Sequence, residues 1–433
     1  MLSVPLQIDV RLLRGAMVSI KIVHVTTVPQ SLFFLRGQVG YMKERGFDIH
    51  GLSSPGEFLT RFAEQEQVPV YPVEMPRRIT PLRDLVAVAG IWRVLRTIRP
   101  QIVHAHTPKG GVLGMVAAWL ARTPVRMYHM RGLPFTTASG WKRMLLIWSE
   151  RISCGLAHQV FCVSASIRQV ALETGLCRPA KIAVLARGSG NGVDATQRFN
   201  GTQVASLREE TRKRYGIPAD ALVVGFIGRI VRNKGIVELA GAWTRLREAF
   251  PQLHLLLVGP YEPQDPIPPE VDAGLRQDPR VHLIGEEWNT PPLYAAMDVL
   301  ALPTYREGFP NVLLEAAGMM VPVVATRVPG CVDAVQDGVT GQLVPPFDPE
   351  RLAAALKAYL ADPELRRRHG AAAREWVLHE FRPQGIWQAL HDAYVHCLRG
   401  KGLLSADQSE NEGTQSVPPG VPAETRASGA GNR

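Results

Sequence analysis

The stretch ALVVGFIGRIVRNKGIVELA, residues 221–240, decides the fold predicted for this chain. It begins with a continuous apolar run typical of a buried strand, passes through a loop bounded by Gly228 and Gly235, and ends in a helix pattern. Strands and helices also alternate in the residues before it, so this stretch starts the alternation a second time. Such alternation indicates a parallel sheet with helices on both faces. We therefore predict an α/β protein with two doubly wound, Rossmann-like domains.

The remaining strand and helix patterns support this division. In the first half, strand patterns lie at 19–27, 47–54, 69–75, 101–107, 125–130, 157–164 and 181–186, with helix patterns at 36–45, 83–99 and 111–121. After a polar helix pattern near 203–215, further strand patterns lie at 221–228, 253–259, 281–285, 299–303 and 321–326. Ligands of doubly wound sheets bind beyond the carboxyl ends of the strands. Two such domains facing each other would therefore share one central cleft.

The same patterns set the expected domain boundaries. We expect the first domain at residues 18–200, the second at 201–383, and a last helix at 384–400 that crosses back onto the first domain. Residues 1–17 precede the first strand pattern and are interpreted as a disordered, dispensable extension. Residues 401–433 are rich in Ser, Gly, Pro, Glu and Gln and have almost no aromatic residues, which predicts a disordered tail.

The charge of the chain narrows the choice of partners. It has 49 basic and 39 acidic residues, giving a formal net charge of +10 over 433 residues. A basic balance suits a nucleotide or phosphate ligand, an anionic membrane surface or nucleic acid. Nucleic acid is the least favoured of these, because the chain has no recognised binding motif and its Lys and Arg residues do not form tracts.

Cysteine usage and apolar runs indicate the compartment. The chain has 5 cysteines without a C-x-x-C pair, so neither a disulfide framework nor a cysteine metal site is predicted. No apolar run approaches the roughly 20 residues of a membrane span. The residues before Met17 also lack the basic-then-apolar order of a signal peptide. We therefore expect a cytoplasmic protein.

A second stretch, EGFPNVLLEAAG at residues 307–318, predicts an anion site. Pro310 suits the first turn of a helix, and an apolar run continues that helix. Gly308 and Phe309 therefore lie in front of a helix N-terminus, whose unpaired N–H groups attract anions.

The same stretch contains two glutamates, Glu307 and Glu315. At about 100° per residue the two positions lie roughly 80° apart around a helix axis, so both side chains can touch one ligand from the same side. Glutamates near a helix start are often exposed or simply favour the helix dipole. Glu315, however, lies within an apolar helix, where a carboxylate needs a partner. Sugar hydroxyls are suitable partners for such a pair.

Two cations, Arg229 and Lys234, lie where the strand at 221–228 gives way to a helix. The loop is not a dinucleotide fingerprint, because it lacks the third glycine, and it is not a P-loop, because Gly235 follows the lysine. A solvated basic loop is the simpler interpretation for these two residues alone. Together with the helix start at 308–311, they would neutralise a diphosphate without a metal.

These motifs resemble the GT4 type of retaining glycosyltransferases, which have the GT-B fold. The E-x7-E motif EGFPNVLLE carries the resemblance together with an ordered set of stretches, at 103–111, 191–194, 228–235, 294–326 and 329–344. The resemblance covers roughly residues 19–400. It implies a GT-B fold, a nucleotide-sugar co-substrate, and neither a cofactor nor a metal.

The resemblance also implies roles for the residues of the donor site. Arg229 and Lys234 look like the pair that holds the donor diphosphate. Glu307 looks like the glutamate that touches hydroxyls of the transferred sugar, with the amides of Gly308 and Phe309 beside it.

The nucleoside end of the donor follows from the same resemblance. Glu315 looks like the residue that binds the ribose. Glu287 and Trp288, in the loop after VHLIG, are expected to face the base. Pro310 and Asn311, which follow Phe309 at the helix start, complete the implied substrate-binding residues.

One position departs from the family pattern. In VRMYHMRGLPF many relatives carry histidine immediately before the glycine, whereas this chain has Arg131 there and His129 two residues earlier. In an extended strand the two side chains share a face, so either is a candidate to reach the transferred sugar or a phosphate. The run RGLPF resembles bacterial members that build surface polysaccharides on lipid-linked sugars.

The acceptor side is expected to include residues from two other loops. His106 and Lys109, in VHAHTPKGG, are candidates to line it, and Gly37 with Arg36 is a candidate to approach phosphate. His104 and His106 have the spacing of two metal ligands, but the sequence shows no evident third ligand. We therefore predict no metal site.

Two helix patterns carry basic and aromatic residues together. The first, at 141–158, has Trp141 and Trp148 on one side with basic residues near them, and the second, at 83–99, is similar. Two domain helices with cationic outer edges are the simpler interpretation. A surface that lies on an anionic membrane is the alternative, which a polyprenyl-diphosphate-linked acceptor would favour.

The sequence thus predicts a retaining, metal-independent glycosyltransferase, peripheral on the cytoplasmic face of a bacterial plasma membrane. By resemblance the donor is a UDP-linked hexose or N-acetylhexosamine and the acceptor is a lipid-linked sugar. No carboxylate is evidently placed as a nucleophile, so family precedent suggests front-face displacement. Two alternatives remain, a UDP-sugar epimerase or phosphorylase of the same architecture, and a non-catalytic sugar-nucleotide binder.

Overall fold

The structure is a computed structural model that describes residues 19–404. The extension predicted at 1–17 and almost all of the tail predicted at 401–433 lie outside the described residues. Within them, two parallel sheets follow one another along the chain, each with helices on both faces. This is the predicted doubly wound α/β architecture.

The first sheet contains central strands that are buried on both faces and partly exposed edge strands. Its members are β1 (Ile20–Val25), β2 (Phe47–Ser53), β3 (Val70–Pro72), β4 (Ile102–His106), β5 (Val125–Met130), β6 (Gln159–Cys162) and β7 (Ile182–Val184). Their spatial order is β3-β2-β1-β4-β5-β6-β7, with every pairing parallel. Burial on both faces explains why these strands appear in the sequence as near-continuous apolar runs.

The helices around the first sheet pack closely against it. They are α1 (Gln38–Glu44), α2 (Glu57–Glu66), α3 (Pro81–Ile98), α4 (Pro108–Leu120), α5 (Gly140–Leu156) and α6 (Ala165–Glu173). Helix α4 approaches β5 so closely that a Cβ on Gly111 would lie 2.3 Å from the Tyr128 ring. Only glycine fits at that position, and it sets the distance of α4 from the sheet.

The second sheet repeats the arrangement. Its strands are β8 (Leu222–Ile227), β9 (Leu253–Val258), β10 (Val281–Gly285), β11 (Val299–Leu302), β12 (Val323–Thr326) and β13 (Gly341–Val344), in the order β10-β9-β8-β11-β12-β13. The helices are α7 (Val204–Arg214), α8 (Ile236–Ala249), α9 (Pro269–Gln277), α10 (Pro291–Ala296), α11 (Asn311–Gly318), α12 (Cys331–Ala334), α13 (Pro349–Ala361) and α14 (Pro363–Glu380). One apolar core fills the space between this sheet and its helices.

The last helix, α15 (Pro383–Arg399), returns to the first sheet. Its residues Leu390, Tyr394 and Leu398 are buried in the core beneath β1 and β2. The hydroxyl of Tyr394 lies 2.6 Å from His104 Nδ1 in the middle of β4. The returning helix therefore ties the end of the second half of the chain to the core of the first.

The carboxyl ends of the two sheets face each other and touch. Ser164 donates a hydrogen bond to the Gly308 carbonyl at 2.9 Å, and Arg306 donates one to the Pro134 carbonyl at 2.9 Å. A Cβ on Gly308 would lie 2.0 Å from the Arg131 carbonyl, so this close approach requires glycine. These contacts place the loops after β5, β8 and β11 around one cleft.

Candidate active site

Lys234 and Glu307 form an ion pair at the centre of the cleft. Lys234 ends the turn after β8, and Glu307 lies in the loop between β11 and α11. The two loops approach so closely at Gly235, whose φ is +74°, that a Cβ there would lie 1.9 Å from the Pro303 carbonyl. Both charged side chains are mostly buried, at 17% and 12% exposure. The pair therefore places an ammonium group and a carboxylate side by side, which suits a ligand that contains both phosphate and hydroxyl groups.

Arg229 lies on the same side of the cleft and contacts Glu262. Glu262 also accepts a hydrogen bond from Arg77 of the first domain at 2.8 Å. Burial opposes the charge of Glu262, but the hydrogen bonds from Arg77 and Arg229 outweigh it and lower the pKa of this carboxyl group. Sequence reasoning missed Glu262, because no local pattern connects it with the loop after β8.

The start of α11 is positioned by contacts from the first domain. The helix begins at Asn311 with Pro310 as its N-cap, one residue later than the predicted first turn. Asn311 Oδ1 accepts a hydrogen bond from the Ser189 hydroxyl at 2.9 Å. The Phe309 ring packs 5.5 Å from the Phe381 ring. The backbone of this segment therefore presents the helix start to the cleft in a fixed direction.

Glu315 lies within α11, whereas Glu307 precedes the helix, so the angle of roughly 80° expected between them around one helix axis does not apply. Glu315 accepts a hydrogen bond from the Tyr294 hydroxyl at 2.8 Å. Burial raises the pKa of its carboxyl group, while the Tyr294 hydrogen bond and the Arg198 charge act in the opposite direction. Tyr294 is the partner that a carboxylate in an apolar helix requires. The tyrosine leaves further lone pairs of Glu315 available for a ligand hydroxyl.

The loop after β10 meets the first domain through Trp288. Its ring centroid lies 5.7 Å from that of Phe33 and 5.4 Å from that of Phe58, and its carbonyl accepts a hydrogen bond from Arg198 at 3.0 Å. Glu287 instead accepts a hydrogen bond from the backbone N–H of Asn289 at 2.8 Å. The loop expected to face the base thus lies at the junction of the two domains.

Arg131 and His129 differ in burial and in their contacts. His129 is only 2% exposed, and its buried Nδ1 atom has no hydrogen-bond partner among residues 19–404. Arg131 is half-buried, with its guanidinium 4.9 Å from the Phe34 ring and its Nε atom 3.3 Å from His106 Nδ1. Burial lowers the pKa of Arg131 to about 10, so it remains a cation at neutral pH. Of these two candidates, Arg131 is the one that borders Gly308 and the cleft.

Three buried histidines lie within metal-ligand distance of one another. The ring nitrogens of His24, His104 and His106 are all within 4.8 Å. The sequence-based statement that no third ligand is evident was wrong, because the pairing of β1 with β4 brings His24 directly opposite His104. Burial and nearby positive charge lower the pKa of all three, which leaves them in the neutral form that binds metals. His106 Nδ1 already accepts a hydrogen bond from the Arg131 Nε–H, so a metal bound at that nitrogen would have to displace this hydrogen bond.

Three predicted cleft residues have partners within the protein. Gly37 packs beneath the Trp387 ring, where a Cβ would lie 2.7 Å from the ring. Lys109 forms an ion pair with Asp84 of α3 at 2.7 Å, which compensates its partly buried ammonium group. His106 is 1% exposed, and its Nδ1 atom accepts a hydrogen bond from Arg131. The expected roles of the three residues toward phosphate and the acceptor stay predictions.

Comparison with known proteins gives two family matches, which together cover all strands of both sheets except β1. Residues 34–188 match the family described as glycosyl transferase 4-like domain, and residues 221–362 match the family described as glycosyl transferases group 1.

Similar proteins span nearly the whole chain. The capsular polysaccharide biosynthesis glycosyltransferase CapM of Staphylococcus aureus is 33% identical over 379 residues, covering 88% of this chain and 98% of CapM. The UDP-Gal:alpha-D-GlcNAc-diphosphoundecaprenol alpha-1,3-galactosyltransferase of Escherichia coli is 24% identical over 331 residues, covering 75% of this chain and 84% of that protein.

Solved structures show the same fold at low sequence identity. The crystal structure of Anabaena HepE in complex with UDP and glucose superposes with a TM-score of 0.72 at 22% identity, covering 87% of this chain and 99% of HepE. The lipopolysaccharide glycosyltransferase WaaG superposes with a TM-score of 0.66 at 17% identity, covering 86% and 98%. Both comparisons establish the GT-B arrangement predicted from the sequence.

The part of the chain that the structure describes contains no helix long and apolar enough to cross a membrane.

Proposed function

This chain belongs to the group 1 glycosyl transferases, and on that premise we propose that it is a retaining enzyme of the GT4 type. It transfers a hexose or N-acetylhexosamine from a UDP-linked donor to a lipid-linked sugar during bacterial surface-polysaccharide synthesis. The observation that carries the proposal is the Lys234–Glu307 ion pair at the start of α11, directly opposite Arg131 of the first domain.

The donor side of this proposal rests on the charges around the cleft. Lys234 has three N–H donors, so it keeps its contact with Glu307 while donating another hydrogen bond to a phosphate. Arg229 supplies a second cation, and the N–H groups that open α11 supply a third positive region. Together these groups would neutralise a diphosphate without a metal. UDP is the nucleotide favoured here because it occupies the structurally similar HepE.

The transfer step follows from this placement. The bond between the anomeric carbon and the β-phosphate oxygen breaks, and an acceptor hydroxyl oxygen bonds to that carbon from the same face. The hydroxyl proton passes to the departing phosphate oxygen, so UDP leaves as the other product. Arg229 and Lys234 stabilise the charge that develops on the leaving group. Glu307 holds hydroxyl groups of the transferred sugar in place during the step.

The nature of the acceptor is supported by similar proteins. CapM is named for capsular polysaccharide biosynthesis, and the name of the Escherichia coli relative gives a sugar on diphosphoundecaprenol as its acceptor. With an acceptor of that kind, we propose that the enzyme works at the cytoplasmic face of the plasma membrane.

The surface of the first domain supports a membrane location. Helix α5 exposes a row of large apolar side chains, at Trp141, Met144, Leu145, Trp148 and Ile152, with basic neighbours at Lys142, Arg143 and Arg151. The start of α3 adds the exposed apolar residues Leu82, Leu85 and Val86. Apolar side chains flanked by basic ones suit an anionic lipid surface.

One assay tests the proposal. The purified protein is incubated with labelled UDP-, GDP- and ADP-sugars and a bacterial lipid extract in EDTA, and label entering the organic phase is measured. Label from a UDP-sugar alone is the expected result. Donor consumed without labelled lipid would favour an epimerase or a soluble acceptor, and no consumption of any donor would favour a sugar-nucleotide binder.

A further inference from the structure

Four imidazole rings pack together behind the cleft of the first domain. They belong to His24 of β1, His104 and His106 of β4, and His129 of β5, and the strand register pairs His24 with His104 and His106 with His129. Each histidine is at most 2% exposed, and neighbouring rings lie 4.3 to 5.6 Å apart. Such a concentration of buried polar rings requires a reason beyond packing, because apolar side chains would fill the same space at lower cost.

The hydrogen bonds among these rings have a direction that Arg131 determines. A guanidinium Nε–H can only donate, so His106 Nδ1 must accept from it and carry its own proton on Nε2. His106 Nε2 lies 2.9 Å from His24 Nδ1, which must therefore accept in turn. The result is a one-way chain, from Arg131 to His106 to His24, in which both imidazoles are neutral and each has one defined tautomer.

We propose that His106 and His24 are positioning residues that hold the Arg131 guanidinium toward the donor diphosphate. The proposal rests on the proposed function and on Arg131 as the candidate of the first domain to reach the donor phosphate. Among the described residues Arg131 has no carboxylate partner. Its Nε–H donates a hydrogen bond to the neutral imidazole of His106. A neutral acceptor fixes the direction of the guanidinium without cancelling its charge. An aspartate or glutamate in place of His106 would fix it as well but would compete with an incoming phosphate.

The surroundings of the four rings keep them neutral. The titratable groups that face them are Arg131 after β5, the other imidazoles, and the Tyr394 hydroxyl of α15, which lies 2.6 Å from His104 Nδ1. No carboxylate of the described residues faces the group, so nothing favours a protonated imidazole. Burial lowers the pKa of each ring, that of His24 to about 3. His106 therefore remains able to accept the Arg131 N–H at neutral pH.

Two polar replacements of His106 separate the proposed role from packing. His106→Asn places an amide oxygen at the position of Nδ1 and keeps an acceptor for Arg131. His106→Gln extends its amide to the position of Nε2, so it keeps the contact with His24 but not that with Arg131. We expect the asparagine variant to retain kcat/KM within about threefold of wild type and the glutamine variant to lose about tenfold or more, chiefly in kcat.

A double-mutant cycle tests whether His106 acts through Arg131. We expect Arg131→Gln together with His106→Gln to be no less active than Arg131→Gln alone. Equal losses in the asparagine and glutamine variants, or losses that multiply in the double variant, would overturn the proposal. His254→Gln is the packing control, because His254 Nδ1 and His282 Nε2 form a pair of the same 2.9 Å length in the second domain, away from the cleft.

A spectroscopic measurement keeps the inference distinct from the proposed function. If the wild-type protein transfers no sugar, the proposed function fails, but the position of Arg131 remains measurable. The Arg131 Nε–H signal, assigned by Arg131→Lys in arginine-labelled protein, is expected to be protected from solvent exchange in wild type and His106→Asn. It is expected to exchange rapidly in His106→Gln. Equal protection in all three proteins would overturn the positioning role even without an activity assay.

Discussion

Lys234 and Glu307 form an ion pair that joins the loop after β8 to the loop after β11 at the centre of the inter-domain cleft. Each side chain is mostly buried, so each depends on the other for charge compensation. The pair thus keeps a phosphate-binding cation and a hydroxyl-binding carboxylate side by side before any ligand arrives. This arrangement gives the E-x7-E stretch its proposed role and leads to the first prediction.

Glu307→Gln is expected to lower kcat for sugar transfer by about 100-fold or more, because the sugar hydroxyls lose a charged acceptor that acts during the step. UDP affinity is expected to stay within a few-fold of wild type, since Lys234 is then free to bind phosphate alone. Radiolabel transfer and UDP calorimetry measure the two effects. Glu350→Gln is the control, because Glu350 pairs with Arg245 on the protein surface. Wild-type transfer by Glu307→Gln would contradict the assignment of Glu307.

Arg229→Ala is expected to weaken UDP binding by about tenfold or more and to lower transfer as well. The substitution removes a cation and leaves Glu262, beside the proposed diphosphate site, with Arg77 as its remaining cationic partner among the described residues. Adding Glu262→Gln to Arg229→Ala should therefore recover part of the lost affinity. Calorimetry with UDP measures both changes, with Arg245→Ala as the surface control. An unchanged affinity in Arg229→Ala would show that this arginine does not contact the nucleotide.

Glu315→Gln is expected to weaken UDP binding while leaving the affinity for inorganic pyrophosphate unchanged, because the proposed contact is with the ribose. Burial raises the pKa of Glu315, so its carboxylate becomes protonated at a higher pH than an exposed glutamate. UDP affinity of the wild type should accordingly fall as the pH decreases from neutral toward that raised pKa. The decrease should be smaller in Glu315→Gln. Parallel pH dependences for the two proteins would remove the ribose assignment.

Acid is expected to destabilise the chain through its buried histidines. The folded-state pKa values of His24, His104, His106 and His129 are lowered, so below about pH 6.5 the unfolded chain binds protons that the folded chain does not. Each such proton lowers the unfolding free energy by about 1.4 kcal/mol per pH unit.

Buried carboxyl groups act in the opposite direction. Burial raises the pKa of Glu150 to about 7 and also raises that of Glu315, so both contribute more stability as the pH falls below 7. The buried histidines outnumber them, so the free energy of unfolding is expected to decrease from pH 7 to pH 5, measured by urea unfolding. His24→Asn should reduce the slope by about one proton, whereas His379→Asn, at an exposed position, should not. A flat stability between pH 7 and 5 would contradict neutral burial of these rings.

Membrane binding is expected to depend on the exposed tryptophans of α5. Trp141→Ser with Trp148→Ser should lower the affinity for vesicles containing anionic lipid by about tenfold or more, because both rings leave the interface. Sedimentation with vesicles measures the bound fraction. Phe347→Ser, at an exposed aromatic position of the second domain, should bind as wild type does. Equal binding by all three proteins would place the lipid contact elsewhere.

Much of the fold could be predicted from the sequence because the strands are buried on both faces. The β8 run LVVGFI is apolar from end to end, and those of β1 and β9 are interrupted only by one or two polar residues, so the strands are evident without an alignment. The edge strand β13 was missed because GQLV is short and contains glycine and glutamine. Helix α2 was missed because its residues are largely polar and it buries only Leu59 and Phe62.

The candidate site could be predicted only where its chemistry is local. The basic loop at 228–235 and the two glutamates of 307–315 each lie within one short stretch, so these motifs could be recognised from the sequence. Glu262 and His24 were not, since they meet Arg229 and His106 only through the pairing of distant strands and loops. The partners of Gly37 and Lys109 could not be predicted for the same reason, because Trp387 and Asp84 become their neighbours only in the folded chain.

The central claim is a transfer that retains configuration at the anomeric carbon, and the measurement that tests it most directly is proton NMR of the glycosylated product. With an α-linked UDP-sugar as donor, we predict that the anomeric coupling of the transferred sugar shows an α linkage. A β linkage would contradict front-face displacement and would require a carboxylate acting as a base in the cleft.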